Sequence, residues 1–385
     1  MVKIQKKIGI VFTVLVLCTA SATGGKASAE PFGVSSASAI VYEPQRGLIL
    51  YEKDIHTPRP MASTTKIMTG LLALEQGGLD REITVPAEAV RVEGSALGLK
   101  GGDTITMRDL VTGLLLESGN DAANVIAYTL DGSLPAFAER MNARAAEIGM
   151  EDTTFVTPSG LDEGEHSSSA YDMALLAAEA MNNAEFASIC SQKTAVIHLG
   201  NPEREVTVRN HNKLLSLYDD AVGIKTGFTK KSGRCLVSAA RRDGVMLITV
   251  TLNGGDYWND HISLYEYGFQ QVESVSLPAP VLPALPVAGG ESGRVGLTAS
   301  EPPAVVLPKN TAEQISCRLF APSFLVAPVE AGSVVGEARY YYKEEEIGRV
   351  PLTVCESVAA RPVAGYSERF TRLLTEMLRV WAGLN

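Results

Sequence analysis

Ser63 and Lys66 stand one helical turn apart in Ser63-Thr64-Thr65-Lys66. Residues three apart on a helix share a face, with about 5–6 Å between their Cβ atoms. A serine hydroxyl is a weak nucleophile until a neighbouring base takes its proton. Lys66 can be that base if burial and nearby cations lower its pKa. The start of a helix adds free N–H groups and a positive dipole where an oxyanion would develop. A second pattern is Ser118-Gly119-Asn120, in the break between two expected helices. Ser118 there can relay a proton and the Asn120 amide can hold a carbonyl, although such residues also make ordinary helix caps. A third pattern is Lys225-Thr226-Gly227, on an expected strand. Its ammonium and hydroxyl suit a carboxylate, and its glycine lets an extended substrate approach the strand edge. Read blandly, it is a strand ending. Each pattern occurs once, with 55 residues from Ser63 to Ser118 and 107 from Ser118 to Lys225. Each also falls on the element its chemistry needs, so together they indicate nucleophilic acyl chemistry.

Other reactive side chains carry weaker signals. The five histidines (His56, His166, His198, His211, His261) show no metal-ligand spacing, so no metal or cofactor is expected. His166 lies in the polar run Glu163 to Ser167, which either borders a cleft or is a solvated loop. Asn210-His211-Asn212-Lys213 reads as part of a site floor or as a structural turn. Asp121 reads as support for a helix start, and Cys235 as a small buried apolar residue. Four thiols lie beyond the leader: Cys190, Cys235, Cys317 and Cys355. Cys317 with Cys355 is the more plausible disulfide, and free buried thiols are the alternative.

These residues must be positioned by a sizeable core. Of 385 residues, 45% are hydrophobic and 20% charged, which excludes a largely disordered chain. With 34 Lys and Arg against 44 Asp and Glu, nucleic acid is not an expected partner. Residues 1–29 read as a secretory signal. Lys3, Lys6 and Lys7 are followed by an apolar run and by Ala27-Ser28-Ala29, a small-x-small cleavage pattern. Residues 30–275 read as the catalytic domain. A hairpin (Ala37 to Tyr42, Gly47 to Tyr51) opens it. Helices are expected over Met61–Glu75, Met107–Leu116, Asp121–Leu130, Leu134–Ile148 and Ala170–Met181. Strands Ala221–Thr229, Arg234–Ala240 and Val245–Leu252, then a helix His261–Gln270, close it. Asp243-Gly244 marks the last hairpin. Strands at both ends and helices between predict one antiparallel sheet flanked by helices. Residues 276–362 open Pro-rich and read as a small β-rich domain. Residues 363–385 hold apolar positions at helical spacing (Phe370, Leu373, Leu374, Met377, Val380, Trp381). They predict an amphipathic helix that either lies on a membrane surface or packs on the β domain.

The three motifs resemble those of the penicillin-binding and serine β-lactamase superfamily. With their flanks, they are most similar to the low-molecular-mass serine D-Ala-D-Ala carboxypeptidases. Those flanks are Met61 to Thr69, Glu117 to Ala123, Thr157-Pro158-Ser159-Gly160-Leu161-Asp162, and Gly223 to Thr229. The resemblance implies an α+β transpeptidase-like domain, then a small all-β domain and a C-terminal amphipathic helix. It assigns Ser63 as nucleophile, Lys66 as its base and Ser118 as a proton shuttle. Asn120 would hold the acyl-side amide, and Lys225 and Thr226 the terminal carboxylate. Gly227 would admit the substrate, and the N–H groups of Ser63 and Phe228 would form the oxyanion hole. One departure stands out. Many relatives place an arginine beyond the third C-terminal strand for the carboxylate, whereas Gly255 to His261 holds none, similar to some sporulation-associated members.

The expected function is removal of the terminal D-Ala from peptidoglycan stem pentapeptides, with β-lactams as covalent inhibitors. The implied location is extracytoplasmic, on the outer face of the cytoplasmic membrane. The alternatives are a DD-endopeptidase on cross-linked muropeptides, and a noncatalytic wall-binding or sensor protein. A β-lactamase would carry a Glu-x-x-x-Asn loop, and no convincing copy occurs between the second and third motifs.

Overall fold

The computed structural model describes residues 33–362 and 366–381. The signal reading at 1–29 lies outside them, as do residues 363–365 and 382–385 of the expected terminal helix. In chain order, β1 (Ser38–Glu43) and β2 (Leu48–Lys53) form the opening hairpin. A 3-10 turn, Ala62–Thr65, runs directly into α1 (Lys66–Glu75). Two short strands, β3 (Glu82–Thr84) and β4 (Thr104–Thr106), precede α2 (Met107–Leu116). Then come α3 (Asn120–Asp131), α4 (Leu134–Ile148), α5 (Ala170–Asn182) and α6 (Ala184–Cys190). The hairpin β5 (Thr194–Gly200) and β6 (Arg204–Arg209) leads to the single turn α7 (Leu214–Leu217). Strands β7 (Ala221–Thr229), β8 (Gly233–Arg242) and β9 (Val245–Gly254) follow, and α8 (Tyr257–Gln271) closes the domain.

Strands from both ends meet in one antiparallel sheet, ordered β2-β1-β9-β8-β7. This is the sheet the sequence predicts. The Asp-Gly hairpin forms because Asp243 (φ 48) and Gly244 (φ 80) both adopt the positive φ of a type I′ turn. Helix starts follow their caps. Thr106, Ser133 and Ser169 each accept a backbone N–H from the first turn of α2, α4 and α5. In α1, every residue from Lys66 to Leu74 is buried, the mark of a helix enclosed by others. It packs against α2, α3 and α5, while α8 lies against the sheet. One further sheet, β3-β4-β5-β6, has no counterpart in the sequence reading. Helix α8 also starts four residues before the expected His261.

A second core, including Leu277, Leu285, Val295, Tyr340 and Leu352, belongs to the β-rich segment. Its strands are β10 (Val272–Ser276), β11 (Leu285–Ala288), β12 (Arg294–Val295), β13 (Leu297–Ala299) and β14 (Ala304–Pro308). They continue with β15 (Ile315–Phe320), β16 (Leu325–Val326), β17 (Val334–Tyr342) and β18 (Glu345–Val354). Strand β10 follows α8 without a linker and pairs with β14, so strand pairing of this segment begins before residue 276. The β1–β2 turn grips it. Gln45 bonds the carbonyl of Ala304 (3.2 Å) and the N–H of Val306 (2.8 Å), and Arg46 pairs with Glu345. The last helix is α9 (Tyr366–Trp381).

All four described cysteines are free thiols. Cys190 and Cys235 are buried. Cys317 and Cys355 are exposed, and their expected pairing does not form. Cys317 on β15 faces Tyr340 of β17, while Cys355 follows β18 on the far side of β17. Two strand spacings amount to about 9–10 Å, beyond the reach of a disulfide.

His261 of α8 is fully buried between Ser238 of β8 (2.6 Å) and Thr251 of β9 (2.9 Å). Burial pushes its pKa down to about 3. An unfolded histidine titrates near 6.5, so the stability this residue contributes is complete above that pH and drains as pH falls toward 3. Between pH 6 and 4, its share of the unfolding free energy should fall by about 1.4 kcal/mol per pH unit. Thermal unfolding across this range should show a shallower slope for His261→Gln than for the parent.

Candidate active site

The nucleophile turn is set by its own backbone. Thr64 closes it by donating its N–H (3.3 Å) and Oγ1 (2.7 Å) to the carbonyl of Met61. Ala62 is held at φ 49, a strained value for a residue with a side chain. Ala62, Thr64 and Thr65 are buried, which leaves Ser63 as the partly exposed member.

Lys66, at 0% exposure, reaches back to Ser63 with Nζ 3.0 Å from Oγ. It also donates to Asn120 Oδ1 (2.6 Å) and to the carbonyl of Ser159 (2.6 Å). Burial and then the charge of Lys225 hold its pKa well below the usual lysine range, against the opposing pull of Asp121. A neutral amine has two N–H donors and one lone pair. In that form Asn120 and Ser159 would take the donors and the lone pair would face the Ser63 hydroxyl. That is the geometry of a general base.

Both acceptors are themselves fixed. Asn120 donates Nδ2 to the carbonyl of Glu93 (2.6 Å). Beside it, the Asp121 carboxylate collects the N–H groups of Leu97, Gly98 and Leu99 at 2.9–3.1 Å. Asp121 thus anchors the loop over the α2–α3 junction, which is more than the expected support of a helix start. The Ser159 loop is held by Thr69, whose hydroxyl donates to the carbonyl of Pro158 (2.6 Å). Gly160, at φ 85, passes so close to the carbonyl of Ala62 that no Cβ fits. His166 completes the tie. Its Nδ1 accepts the N–H groups of Val156 (2.9 Å) and Thr157 (3.3 Å), so Nε2 carries the proton and donates to Thr65 Oγ1 (2.7 Å). His166 is buried, which corrects the solvated-loop reading, and burial pushes its pKa down to about 4.

Strand β7 forms the other wall. It is the sheet edge, with alternate backbone groups unpaired by any neighbouring strand. A Cβ on Gly227 would stand 2.8 Å from the Met61 carbonyl and 3.1 Å from the N–H nitrogens of Ser63 and Thr64. Only glycine lets the strand lie against the nucleophile turn. Lys225 is buried, donates to the carbonyl of Thr226 (3.0 Å), and is pushed down to about 7 by burial. Thr226 is half-buried and Phe228 is 63% exposed. Ser118 is buried in the α2–α3 break at φ 65. Its hydroxyl bonds neither lysine in this arrangement. His211 lies beside Glu117 (3.6 Å) and close enough to Lys225 to feel its charge, while Asn210 and Asn212 bond the surrounding turn. Cys235 is buried behind the site, with its thiol pushed up to about 11.

Residues 25–256 match the family model for D-alanyl-D-alanine carboxypeptidase. The chain belongs to that family. Residues 279–360 match the C-terminal domain of penicillin-binding protein 5. D-alanyl-D-alanine carboxypeptidase DacB2 of Mycobacterium tuberculosis is 35% identical over 238 residues, covering 60% of this chain and 81% of that one. DacF of Bacillus subtilis is 27% identical over 332 residues, covering 83% and 85%. The structure of penicillin binding protein 5 from Haemophilus influenzae superposes with a TM-score of 0.64 at 27% identity, covering 86% of this chain and 99% of that one. The chain is thus a serine-type D-Ala-D-Ala carboxypeptidase with the expected α+β fold and C-terminal β domain.

Sequence reasoning missed two supports of this carboxypeptidase site. The Ser159 carbonyl is a backbone group, so no side-chain chemistry announced it, although its loop was among the matching flanks. The contact of His166 with Thr65 spans 101 residues and leaves no local pattern. The two lysines predict a bell-shaped pH profile for acylation by a fluorescent penicillin. The rate should rise as Lys66 loses its proton. It should fall as Lys225 loses its own near pH 7. Lys225→Arg stays charged, and should carry the falling limb upward by about one pH unit or more. An unmoved falling limb would assign it to another group.

Proposed function

We propose that the enzyme removes the terminal D-alanine of peptidoglycan stem pentapeptides through an acyl-enzyme on Ser63. The observation that carries this reading is the Lys66 amine, 3.0 Å from Ser63 Oγ with both N–H donors committed elsewhere. Ser63 Oγ attacks the carbonyl carbon between the two D-alanines, and its proton passes to Lys66. The N–H groups of Ser63 and Phe228 stabilise the oxyanion. Asn120, through the second hydrogen of Nδ2, holds the acyl-side amide. Lys225 and Thr226 attract the terminal carboxylate, while Gly227 lets the peptide lie along β7. Breakdown transfers a proton to the leaving nitrogen by way of Ser118, and D-alanine departs. Water, deprotonated by Lys66, hydrolyses the ester and regenerates Ser63. A β-lactam enters by the same attack and remains as a slowly hydrolysed ester. The substrate is a wall polymer, so the enzyme works outside the cytoplasm, delivered by the leader at 1–29.

Helix α9 supports attachment to a membrane surface. Phe370, Leu373, Leu374, Met377 and Leu378 are all exposed, so they do not pack on the β domain. Among the described residues, no helix is long and apolar enough to cross a membrane. A helix of this kind lies in the interface with its apolar face down.

D-alanine release from a pentapeptide ending in D-Ala-D-Ala tests the reaction. Ser63→Ala should abolish both release and labelling by a fluorescent penicillin. Labelling without release from the parent would point to a cross-linked substrate. Absence of both from folded parent protein would overturn the reading. For α9, protein ending at Tyr366 should lose most of its sedimentation with anionic lipid vesicles. Equal sedimentation of both forms would exclude the helix as the anchor.

A further inference from the structure

We infer that Arg234 is the group that binds the substrate's terminal carboxylate, together with the hydroxyl of Thr226. The inference rests on the carboxypeptidase reading above, which requires a free carboxylate one residue beyond the scissile bond. Register places the groups. Arg234 on β8 stands directly opposite Phe228 on β7, and Leu236 opposite Thr226. Cross-strand partners project from the same face, as do residues two apart on one strand. Thr226, Phe228 and Arg234 therefore share a face, and Thr226 is the diagonal neighbour of Arg234, about 7–8 Å away and within reach of a long side chain. Lys225, one residue out of phase, projects from the opposite face and is buried, with its charge felt by Lys66. It contributes field rather than a direct grip.

The guanidinium is held ready. It lies 5.8 Å from the ring centre of Phe228 and 5.7 Å from that of Tyr257. One of its N–H groups bonds the Tyr257 hydroxyl, and the others in the guanidinium plane can meet a carboxylate. The turn behind it is fixed by bonds between Thr229 and Ser232 at 2.9–3.0 Å. Among the described residues, Arg234 has no ion-pair partner, in a chain where acids outnumber bases by 44 to 34. The acids flanking Tyr257 are engaged elsewhere: Asp256 with Asn259, and Asp260 with Ser35 and Ser36. Residues 255–261 hold no arginine, so β8 supplies the cation that this stretch lacks.

The test compares two pentapeptides, one ending in the free acid and one in the C-terminal amide, as substrates of the full chain. Arg234→Gln should lower kcat/KM for the acid about 10- to 100-fold, the effect of losing a charge-assisted pair. It should leave the amide within about twofold, so the acid preference collapses. Arg234→Lys should recover part of that preference, and unfolding temperatures check that each variant is folded. If the amide is too slow to follow, acylation by a penicillin and by its carboxylate methyl ester gives the same comparison. Parallel losses on acid and amide would assign Arg234 a structural role and overturn the inference, as would no loss on either. A parent enzyme active on the acid, with Arg234→Gln unchanged, sinks this inference alone. A parent that neither releases D-alanine nor takes up penicillin sinks the reaction with it.

Discussion

An amine sealed from water with no carboxylate against it governs the site. Charging Lys66 at 0% exposure would require solvation that only neighbouring dipoles can supply. Those neighbours are a side-chain amide and a backbone carbonyl, both neutral. Among the charges that act on it, Lys225 opposes protonation, and Asp121, which accepts the N–H groups of Leu97, Gly98, Leu99 and Ala122, favours it. The fold thereby favours the uncharged form of the Lys66 amine.

The remaining architecture brings four distant segments to that amine without admitting water. Glycine is used where two backbones must touch: Gly160 over the Ala62 carbonyl, and Gly227 beside Met61 and Ser63. Polar side chains do the tying where the segments are loops. Thr65 and Thr69, from the first turns around the nucleophile, reach His166 and Pro158 on the same loop. Strain at Ala62 and Ser118 sits in the two turns that present chemistry, as expected when surrounding packing over-determines a backbone.

Much of this was legible in the residues because local signals agreed with the global fold. Helices α2 and α4 and strand β7 carry the bounds expected from periodicity and caps, and Asp243-Gly244 made the hairpin it promised. What escaped depended on long-range or backbone chemistry. Strands β3 and β4 are three residues each, too short for alternation to register. His166 looked solvated since its neighbours are acidic and exposed, yet its ring turns inward beneath the nucleophile turn. The Cys317–Cys355 pairing failed on strand order, which composition cannot reveal. The three motifs were readable by their spacing; the burial of Lys66 between Asn120 and Ser159 was not.

The grip of Gln45 and Arg46 on the β domain has a consequence for what the enzyme can take. That turn joins β1 to β2, and β2 is the sheet edge opposite β7. The β domain is also met by the β8–β9 turn, where Gly244 lies against Ser274 of β10, so it is fastened at the end of the sheet that carries these two turns. A peptide hanging from a fixed mesh can be engaged by its free end without being detached.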